Sequence, residues 1–541
     1  MTPIPTRRLR LVGLPLSLTA LAFSFPALTG GFGPLALAAW APVFLWLDGA
    51  RTMSAAALGA VFGLAEAAVL YWWLGSYHPA ALVLALAVTG FWRALSFAGT
   101  ARLLSVRNPL AILILPLLWA GVDAARGAGF LAFPYGTLPY ALYRWDAALT
   151  LASAGGVALT GLAAWSANTL LFSALRCGQT PGMRLPKAAV WVLALAAVLG
   201  MGQAPSSDCV TASDGSSPPE AGRFRVALVQ PNLEEKQQGP EDYARAIRVL
   251  IDASARAMAS SPDLIVWHET AVIPPIEWHL RRRVNRELTD ALTELEDFLS
   301  ASPVPVLLGN GWADPEDPQR RTGGNAALLY EGGAVSGRYL KMMLVPFSEY
   351  FPAADALPGI ARWLENRFGY LWTPGTERVA LSAGAASVAA PICFEDSFGP
   401  HLAGFPDTDF MVVLTDDSWA RSAAMQVQHL SMSAFRAAET GSVVLRAANT
   451  GCTAAVSPRG RVEASLPPFM PGVLFADVVL GSGTDTLYER GGLWFGTVAG
   501  VLGALAGFLA LLWPWSEAKR RQRPGGPVPS PGFRIDKPGG V

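Results

Sequence analysis

Charge is what this sequence has least of: only 15% of its 541 residues are Asp, Glu, Lys or Arg, against about a quarter in ordinary soluble domains. The deficit is uneven. Across the first 203 residues the acids are Asp48, Glu66, Asp123 and Asp146, whereas residues 220–490 have the composition of an ordinary soluble domain. Cysteine is also scarce. Cys177, Cys209, Cys393 and Cys452 lie far apart with no CxxC pair, which argues against a zinc site or a disulfide framework. No metal and no cofactor is expected. Its 41 basic and 41 acidic residues cancel, so nothing points to a nucleic-acid partner.

Long apolar runs are abundant instead. A bilayer-crossing helix needs about 20 predominantly apolar residues. Seven such runs precede the soluble part, at about 10–27, 33–49, 54–75, 80–104, 109–125, 146–176 and 188–203, and an eighth covers about 492–515. Basic residues orient them. Arg7, Arg8 and Arg10, then Arg51, then Arg102 and Arg107, then Arg176, Arg184 and Lys187, and finally Lys519, Arg520, Arg521 and Arg523 fall on one side of an eight-helix bundle. Only Arg126 and Arg144 break the pattern. That side is the cytoplasm, so both termini are cytoplasmic and the soluble region lies outside. Arg7–Arg10 followed by an apolar run also fits a cleaved signal peptide, but apolar sequence resumes almost at once.

The expected organisation is a seven-helix transmembrane bundle over 1–203, a Pro-, Ser- and Gly-containing linker over 204–222, an α/β domain over 223–485, an eighth transmembrane helix over 486–515 and a disordered cytoplasmic tail over 516–541. Glu66 and Arg93 fall midway along two consecutive, antiparallel spans. An unpaired charge there costs at least about 2.5–3.5 kcal/mol, so the two are expected to form an ion pair inside the bundle. The alternative is a snorkelling Arg93 and a protonated Glu66.

Within 223–485, β-rich runs alternate with helical patterns, which buries a sheet beneath helices. Strands are expected at Phe224–Gln230, Leu264–Trp267, Val304–Gly309, Ala326–Tyr330, Val388–Cys393, Phe410–Thr415, Ser442–Ala447 and Thr453–Ser457. Helices are expected at Pro240–Ser260, Arg281–Ala301 and Met425–Thr440, with turns at Asn310-Gly311 and Pro458-Arg459-Gly460.

Three residues suit nucleophilic catalysis. Cys393 ends a strand in Ala390-Pro-Ile-Cys-Phe-Glu-Asp, where its side chain is expected exposed at the sheet edge. A thiol attacks carbonyls as thiolate, so it needs a base or a cation beside it. Glu269 ends a strand in Leu264-Ile-Val-Trp-His-Glu-Thr, and Lys341 follows one in Gly337-Arg-Tyr-Leu-Lys-Met-Met. Each alone also reads blandly, as a core cysteine, a solvated carboxylate or a surface lysine. Together they are a nucleophile, a base and a cation at strand ends, where α/β active sites collect.

Glu, Lys and Cys in this order, with Glu395 close behind Cys393, resembles the nitrilase, or carbon–nitrogen hydrolase, superfamily. Lys341-Met-Met-Leu-Val-Pro-Phe-Ser-Glu-Tyr-Phe-Pro352, Pro391-Ile-Cys-Phe-Glu395, Asp416-Asp-Ser-Trp419, Gln428-His429 and Arg446-Ala-Ala-Asn-Thr-Gly451 are similar to its apolipoprotein N-acyltransferase branch. Val229-Gln-Pro-Asn232 and, in the membrane part, Trp119, Arg126, Phe133-Pro134-Tyr135 and Gly155 extend the likeness over nearly the whole chain. Departures are His268 where Pro is usual, Ser348 for Gly, Phe394 for Tyr, Asp416 for Asn, and Trp419-Ala420-Arg421 for Trp-Phe-Gly.

The resemblance implies an α-β-β-α sandwich joined to the bundle, and a two-step acyl exchange. Cys393 takes an acyl chain from a phospholipid as a thioester. The α-amino group of the diacylglyceryl-cysteine of an apolipoprotein then accepts it. Glu269 acts as general base and acid, and Lys341 stabilises the oxyanion with a backbone N–H near Phe394. Glu349 and Glu395 hold Lys341, and Asn325 and Trp419 support the site. The aromatic stretches Tyr71-Trp72-Trp73, Phe133–Tyr143 and Trp363–Trp372 either seat acyl chains or anchor the interface. Two other readings compete. A membrane-tethered amidase would use the same three residues with water as acceptor. A transporter or scaffold with a degenerate external domain would leave them idle.

Overall fold

The computed structural model describes residues 6–177 and 209–512, apart from 29, 106–109, 130, 217–221, 234–238, 318–322, 352, 355 and 369–371. The run expected as a seventh span, 188–203, and the tail, 516–541, lie outside the described residues.

Three of the described helices are long and apolar enough to cross a membrane: α3 (Thr52–Leu70), α5 (Pro79–Ser105) and α7 (Asp146–Cys177). The remaining apolar runs form α1 (Thr6–Ser24), α2 (Ala41–Leu47), α6 (Leu110–Arg126) and a last helix over Leu493–Leu512. The second run is not one continuous span. It breaks into a 3-10 turn, Gly33–Leu37, and the seven-residue α2, each with a proline in its first turn. Proline has no N–H to continue a preceding helix, which is why it starts these pieces rather than lying inside one. A four-residue helix, α4 (Leu74–Tyr77), follows α3.

Small residues let α3 and α5 approach closely, as in other membrane helix pairs. A Cβ on Gly59 would come 2.4 Å from the Arg93 carbonyl oxygen, and one on Gly63 would come 2.7 Å from that of Thr89. This contact brings Glu66 opposite Arg93. The guanidinium donates from Nε to Oε2 and from Nη2 to Oε1, both at 2.6 Å, with the side chains 2% and 1% exposed. The expected pair therefore forms. Arg93 also lies over the Trp40 ring, 4.5 Å from its centroid, so the face of the cation is covered as well as its edge.

Among the described residues, the soluble part is two sheets with helices outside. One sheet has seven strands in the order β1-β13-β2-β3-β4-β5-β6, the other six in the order β12-β11-β10-β9-β8-β7. In the first lie β1 (Val210–Ser213), β2 (Phe224–Gln230), β3 (Leu264–Val266), β4 (Val306–Ala313), β5 (Gly323–Glu331), β6 (Ala334–Leu340) and β13 (Gly472–Val478). In the second lie β7 (Leu381–Ala383), β8 (Ala386–Ala389), β9 (Phe410–Thr415), β10 (Val443–Ala448), β11 (Ala454–Val456) and β12 (Val462–Ser465). Every residue of β2 is buried, and its two faces serve different cores. Phe224, Val226 and Leu228 join the core shared with the second sheet. Ala227 and Val229 pack with Ile247 and Leu250 of helix Pro240–Ala257 and Leu292 and Leu295 of helix Arg286–Ala301. The period of two in a strand sends alternate residues to opposite layers, so a strand sandwiched this way is apolar on both faces, here apart from Arg225 and Gln230.

Several expectations change. The stretch 204–222 contains β1, which pairs antiparallel with β13 from Val210↔Val478 to Ser213↔Phe475. The strand expected to run to Cys393 ends at Ala389, with only an Ile392↔Leu414 bridge beyond it. Asn310-Gly311 is not a turn but lies inside β4, opposite Ala326 and Asn325. The Asn310 amide donates to the Val272 and Pro274 carbonyls, so it is a cross-strand tie rather than a loop residue. The helix expected over Arg281–Ala301 divides into Ile276–Arg282 and Arg286–Ala301, with Arg283 left-handed at φ 49° between them.

Bundle and sandwich meet along helix Ala423–Thr440, which packs on α7. The Gln428 amide donates to the Leu70 carbonyl at 3.2 Å. The Tyr77 hydroxyl donates to Ser348 Oγ at 2.8 Å. Trp73 packs on both Tyr135 and Trp419. These aromatic residues of the bundle thus form its seam with the α/β domain.

Candidate active site

The C-terminal ends of β3, β6, β8 and β9 converge beside this seam. Glu269 follows β3, Lys341 follows β6, Cys393 follows β8 and Asp416 follows β9. Glu269 is held from three directions. Its Oε1 accepts from Lys341 Nζ at 3.0 Å and from Asn325 Nδ2 at 2.7 Å, and its Oε2 accepts from the Asp416 backbone N–H at 3.0 Å. Lys341 Nζ also donates to Glu349 Oε1 at 2.7 Å, while Glu349 Oε2 accepts from the Val345 N–H at 2.8 Å.

One fully buried ammonium is therefore shared by two carboxylates. Burial opposes the lysine's charge, but Glu269 and Glu349 outweigh it and hold Lys341 protonated well above the usual lysine range. Burial, with the Glu269 charge added, pushes the Glu349 carboxyl up, and Lys341 only partly offsets this. Burial and the Glu269 charge likewise push the Cys393 thiol well above its usual range despite Lys341. A thiol in that state attacks only as its proton leaves, which is the circumstance in which an adjacent carboxylate base is needed.

Cys393 is 9% exposed, not open at a sheet edge as its sequence position suggested. It begins a 3-10 turn, Cys393–Ser397, in the left-handed region at φ 50°. Such a conformation costs a non-glycine residue about 1–3 kcal/mol and persists where the surroundings impose it. Glu395 does much of the imposing, and here the expected role changes. Its carboxylate bonds the chain around Lys341 rather than the lysine ammonium. Oε1 accepts from the Met342 N–H at 2.7 Å, the Met343 N–H at 3.1 Å and the Tyr339 hydroxyl at 2.7 Å, while Oε2 accepts from the Ile392 N–H at 2.7 Å. One buried carboxylate thus staples the backbone after Lys341 to the turn that carries Cys393. Burial acts against its charge, but the His401, Ile392 and Tyr339 bonds prevail and hold Glu395 below the usual carboxylate range.

Of the remaining expected residues, Asn325 touches Glu269 directly. Phe394 stacks edge-on against Phe398, and both line a cavity of about 310 Å³ together with Met342, Met343, Leu344 and Tyr350. Trp419 sits with Trp73 and Tyr77 at the seam. Asp416 carries two duties: its amide serves Glu269, and its carboxylate accepts from Asn449 Nδ2 and the Ser418 N–H. Burial raises the Asp416 carboxyl to about 6, against the pull of Ser418. His268, the residue before Glu269, is buried, with Nδ1 2.8 Å from the Glu269 carbonyl oxygen. Burial pushes it down to about 4, so it is neutral.

Beneath Cys393 lies a network that sequence reasoning did not assemble. His429 Nε2 meets Asp396 Oδ1 and its Nδ1 meets Asp417 Oδ1, both at 2.9 Å. Arg446 donates to the second oxygen of each, at 2.9 Å to Asp396 and 2.8 Å to Asp417. Burial and the Arg446 charge lower the imidazole, yet the two carboxylates prevail and push His429 up to about 9. Cys393, Asp417 and His429 bring their donor atoms within 4.8 Å of one another, the spacing of a metal-ligand set. Both imidazole nitrogens, however, face carboxylates, so the ring directs no lone pair at a common point. The signal was present in the Gln428-His429 and Arg446 motifs, but only folding reveals that these motifs share partners.

The chain matches two family models in tandem: the apolipoprotein N-acyltransferase N-terminal domain over residues 17–170 and carbon-nitrogen hydrolase over residues 225–488. It is 34% identical over 491 residues to apolipoprotein N-acyltransferase 1 of Treponema pallidum (strain Nichols), covering 86% of this chain and 88% of that one. It is 30% identical over 494 residues to the apolipoprotein N-acyltransferase of Geobacter metallireducens, covering 88% and 90%. Among solved structures, an amidase from Nesterenkonia sp. AN1 aligns at 19% identity with a TM-score of 0.36, over 57% of this chain and all of the other, a likeness too slight to bear on function. On the matched domains and on identity sustained across both, this chain belongs to the apolipoprotein N-acyltransferase family.

Proposed function

We propose that this protein transfers an acyl chain from a phospholipid, through a thioester on Cys393, to the α-amino group of the N-terminal diacylglyceryl-cysteine of lipoproteins. Glu269 removes the thiol proton as sulfur attacks the ester carbonyl carbon. Lys341 and a backbone N–H at the start of the Cys393–Ser397 turn stabilise the oxyanion. The tetrahedral intermediate collapses, the lysophospholipid oxygen leaves, and it recovers the proton from Glu269. In the second half, the amine attacks the thioester and Glu269 takes its proton. Sulfur departs and is reprotonated, leaving an amide. Glu349 keeps Lys341 charged while Glu269 is neutral, and Glu395 sets the Cys393 turn against the lysine.

The observation that carries this reading is the single ammonium shared by Glu269 and Glu349, beside a buried thiol. Two carboxylates for one cation leave a spare negative charge able to accept a proton. The apolar cavity at Phe394 and Phe398 has the chemistry of an acyl-chain seat. The test is mass spectrometry of purified protein exposed to phospholipid. An acyl adduct on Cys393 is expected, and its absence sinks the reading.

The reading extends to topology. Eight apolar segments cross a bacterial inner membrane, seven from residues 1–203, the second of them broken between Gly33–Leu37 and Ala41–Leu47, and one from 486–515, with 204–222 leading into a catalytic domain at 223–485 on the periplasmic side. Residues 516–541 then form a cytoplasmic tail. Its support is the basic loops, together with three described helices of membrane-crossing length and composition. Ser382 is exposed on the sandwich, so Ser382→Cys should react with a membrane-impermeant thiol reagent in intact cells. Reaction only after lysis would overturn this orientation.

A further inference from the structure

The membrane helix α7 is broken at Gly155 (φ −144°, ψ 20°) and Gly156 (φ 69°, ψ −169°). A break of this kind starts a second helix whose first backbone N–H groups have no partner within it. The first of them, on Val157, donates to Glu439 Oε1 at 2.8 Å, a contact between residues 282 positions apart. A carboxylate is well suited to that place, because a helix N-terminus carries partial positive charge. Glycine is required there both by the positive φ and by space, since a Cβ on Gly156 would lie 2.5 Å from the Tyr488 ring and 3.0 Å from Glu439 Oε1.

Glu439 belongs to the helix Ala423–Thr440 of the α/β domain, and its other oxygen faces Arg436 Nη2 at 2.8 Å, one turn back. Arg436 Nη1 then donates to the carbonyl of Ser397 at 3.3 Å, the last residue of the turn that begins with Cys393. Gly399, just beyond, makes room for this pair: a Cβ there would come 2.4 Å from Glu439 Oε2. Both charged side chains are 2% exposed or less.

We infer that Glu439 and Arg436 are positioning residues, coupling the kink of α7 to the Cys393 turn so that the bundle sets where the nucleophile stands. A buried ion pair adds little net adhesion to an interface, because desolvation offsets the attraction. What it supplies is fixed geometry, and attack geometry is sensitive to displacements of about 1 Å. The contact that crosses between the two parts is the Val157 N–H to Glu439 bond; a separate ion pair also joins them, without reaching the nucleophile. Arg461, between β11 and β12, binds Asp146 at the start of α7, with Nε to Oδ1 at 2.9 Å. It is the natural control.

The inference rests on Cys393 being the nucleophile, and the experiment separates the two. Thioester formation on Cys393 is followed by mass spectrometry in full-length protein mixed with phospholipid–detergent micelles, normalised to the folded fraction. Glu439→Gln leaves an oxygen for the Val157 N–H but no charge for Arg436, and Gly156→Ala disturbs the kink itself. Each is expected to slow thioester formation at least tenfold per folded molecule at saturating phospholipid, with KM within twofold of wild type. Asp146→Asn is expected to stay within twofold in both. Should Glu439→Gln not fold, Arg436→Lys provides the same readout with the charge kept. Wild-type rates per folded molecule in the folded variants, or an equal loss in Asp146→Asn, overturn the coupling alone. A wild-type protein with no Cys393 adduct overturns the catalytic reading and the coupling with it.

Discussion

The bundle and the catalytic domain each bury a basic side chain against acid, and they do it differently. In the bundle, Arg93 meets one carboxylate, Glu66, through two parallel bonds, and Trp40 covers its face. Charge is matched one to one. In the catalytic domain, Lys341 meets two carboxylates, Glu269 and Glu349, and a buried thiol senses both the ammonium and Glu269. Charge is mismatched, and burial together with the Glu269 charge drives the Glu349 carboxyl up. A balanced buried pair holds structure together. An unbalanced one is the arrangement that makes acid–base chemistry available.

The largest expected effect removes the group that the unbalanced cluster serves. Cys393→Ala should abolish acyl transfer, while Cys452→Ala, whose thiol burial pushes up to about 11 with no base bonded to it, should retain it. Full activity in Cys393→Ala, measured as lipoprotein acylation in purified membranes, would end the comparison.

Next in size is Lys341→Arg, which keeps the charge but replaces a compact ammonium with a planar fork. Losing one well-aimed oxyanion donor costs about 10²–10³ in rate, and Lys341→Arg should lose nearly as much as Lys341→Ala in the same assay. A near-wild-type arginine variant would show that only long-range charge matters.

The balanced pair should respond in stability rather than rate. Breaking a buried pair from one side costs about 3–5 kcal/mol, because the survivor is left unpaired. Glu66→Gln and Arg93→Gln should each lower the melting temperature of detergent-solubilised protein, and the double variant should recover part of the loss. Strictly additive losses would show that the two charges do not support each other.

The smallest effect sharpens the comparison with a third cluster, in which Asp396 and Asp417 face His429 and Arg446. The His429 pKa is raised from 6.5 to about 9. Its contribution to stability is therefore complete below about pH 6.5 and is lost as pH rises through 9. A shift of that size corresponds to roughly 3 kcal/mol at most. Thermal melts between pH 6.5 and 9.5 should show wild type losing stability faster than His429→Gln. Parallel curves would mean that the imidazole is not charged in the folded protein.

Much of this was readable before folding. Hydropathy marks the apolar runs because a helix in lipid must be apolar over its own length, a local property. Strands such as Phe224–Gln230, apolar apart from Arg225 and Gln230, and Phe410–Thr415 have the bounds expected from their apolar runs. Glu269, Lys341 and Cys393 were legible as residue types at strand ends, and the Glu66–Arg93 pair as two charges at matching depth in consecutive helices. Edge strands such as β1 and β12 were not, since they are short and partly exposed and so resemble loop sequence.

What the sequence determined alone is what depends on neighbours along the chain: apolar length, strand periodicity, and the chemical type of each motif residue. Tertiary structure decided the partners. It turned Glu395 toward the backbone beyond Lys341, 53 residues back along the chain. It buried Cys393 in a left-handed turn, and it set Glu439 on the broken end of a membrane helix. A carboxylate in a sequence states only that it will need donors. Which donors it finds is settled when sheets, helices and bundle close around it and exclude the water that would otherwise have served.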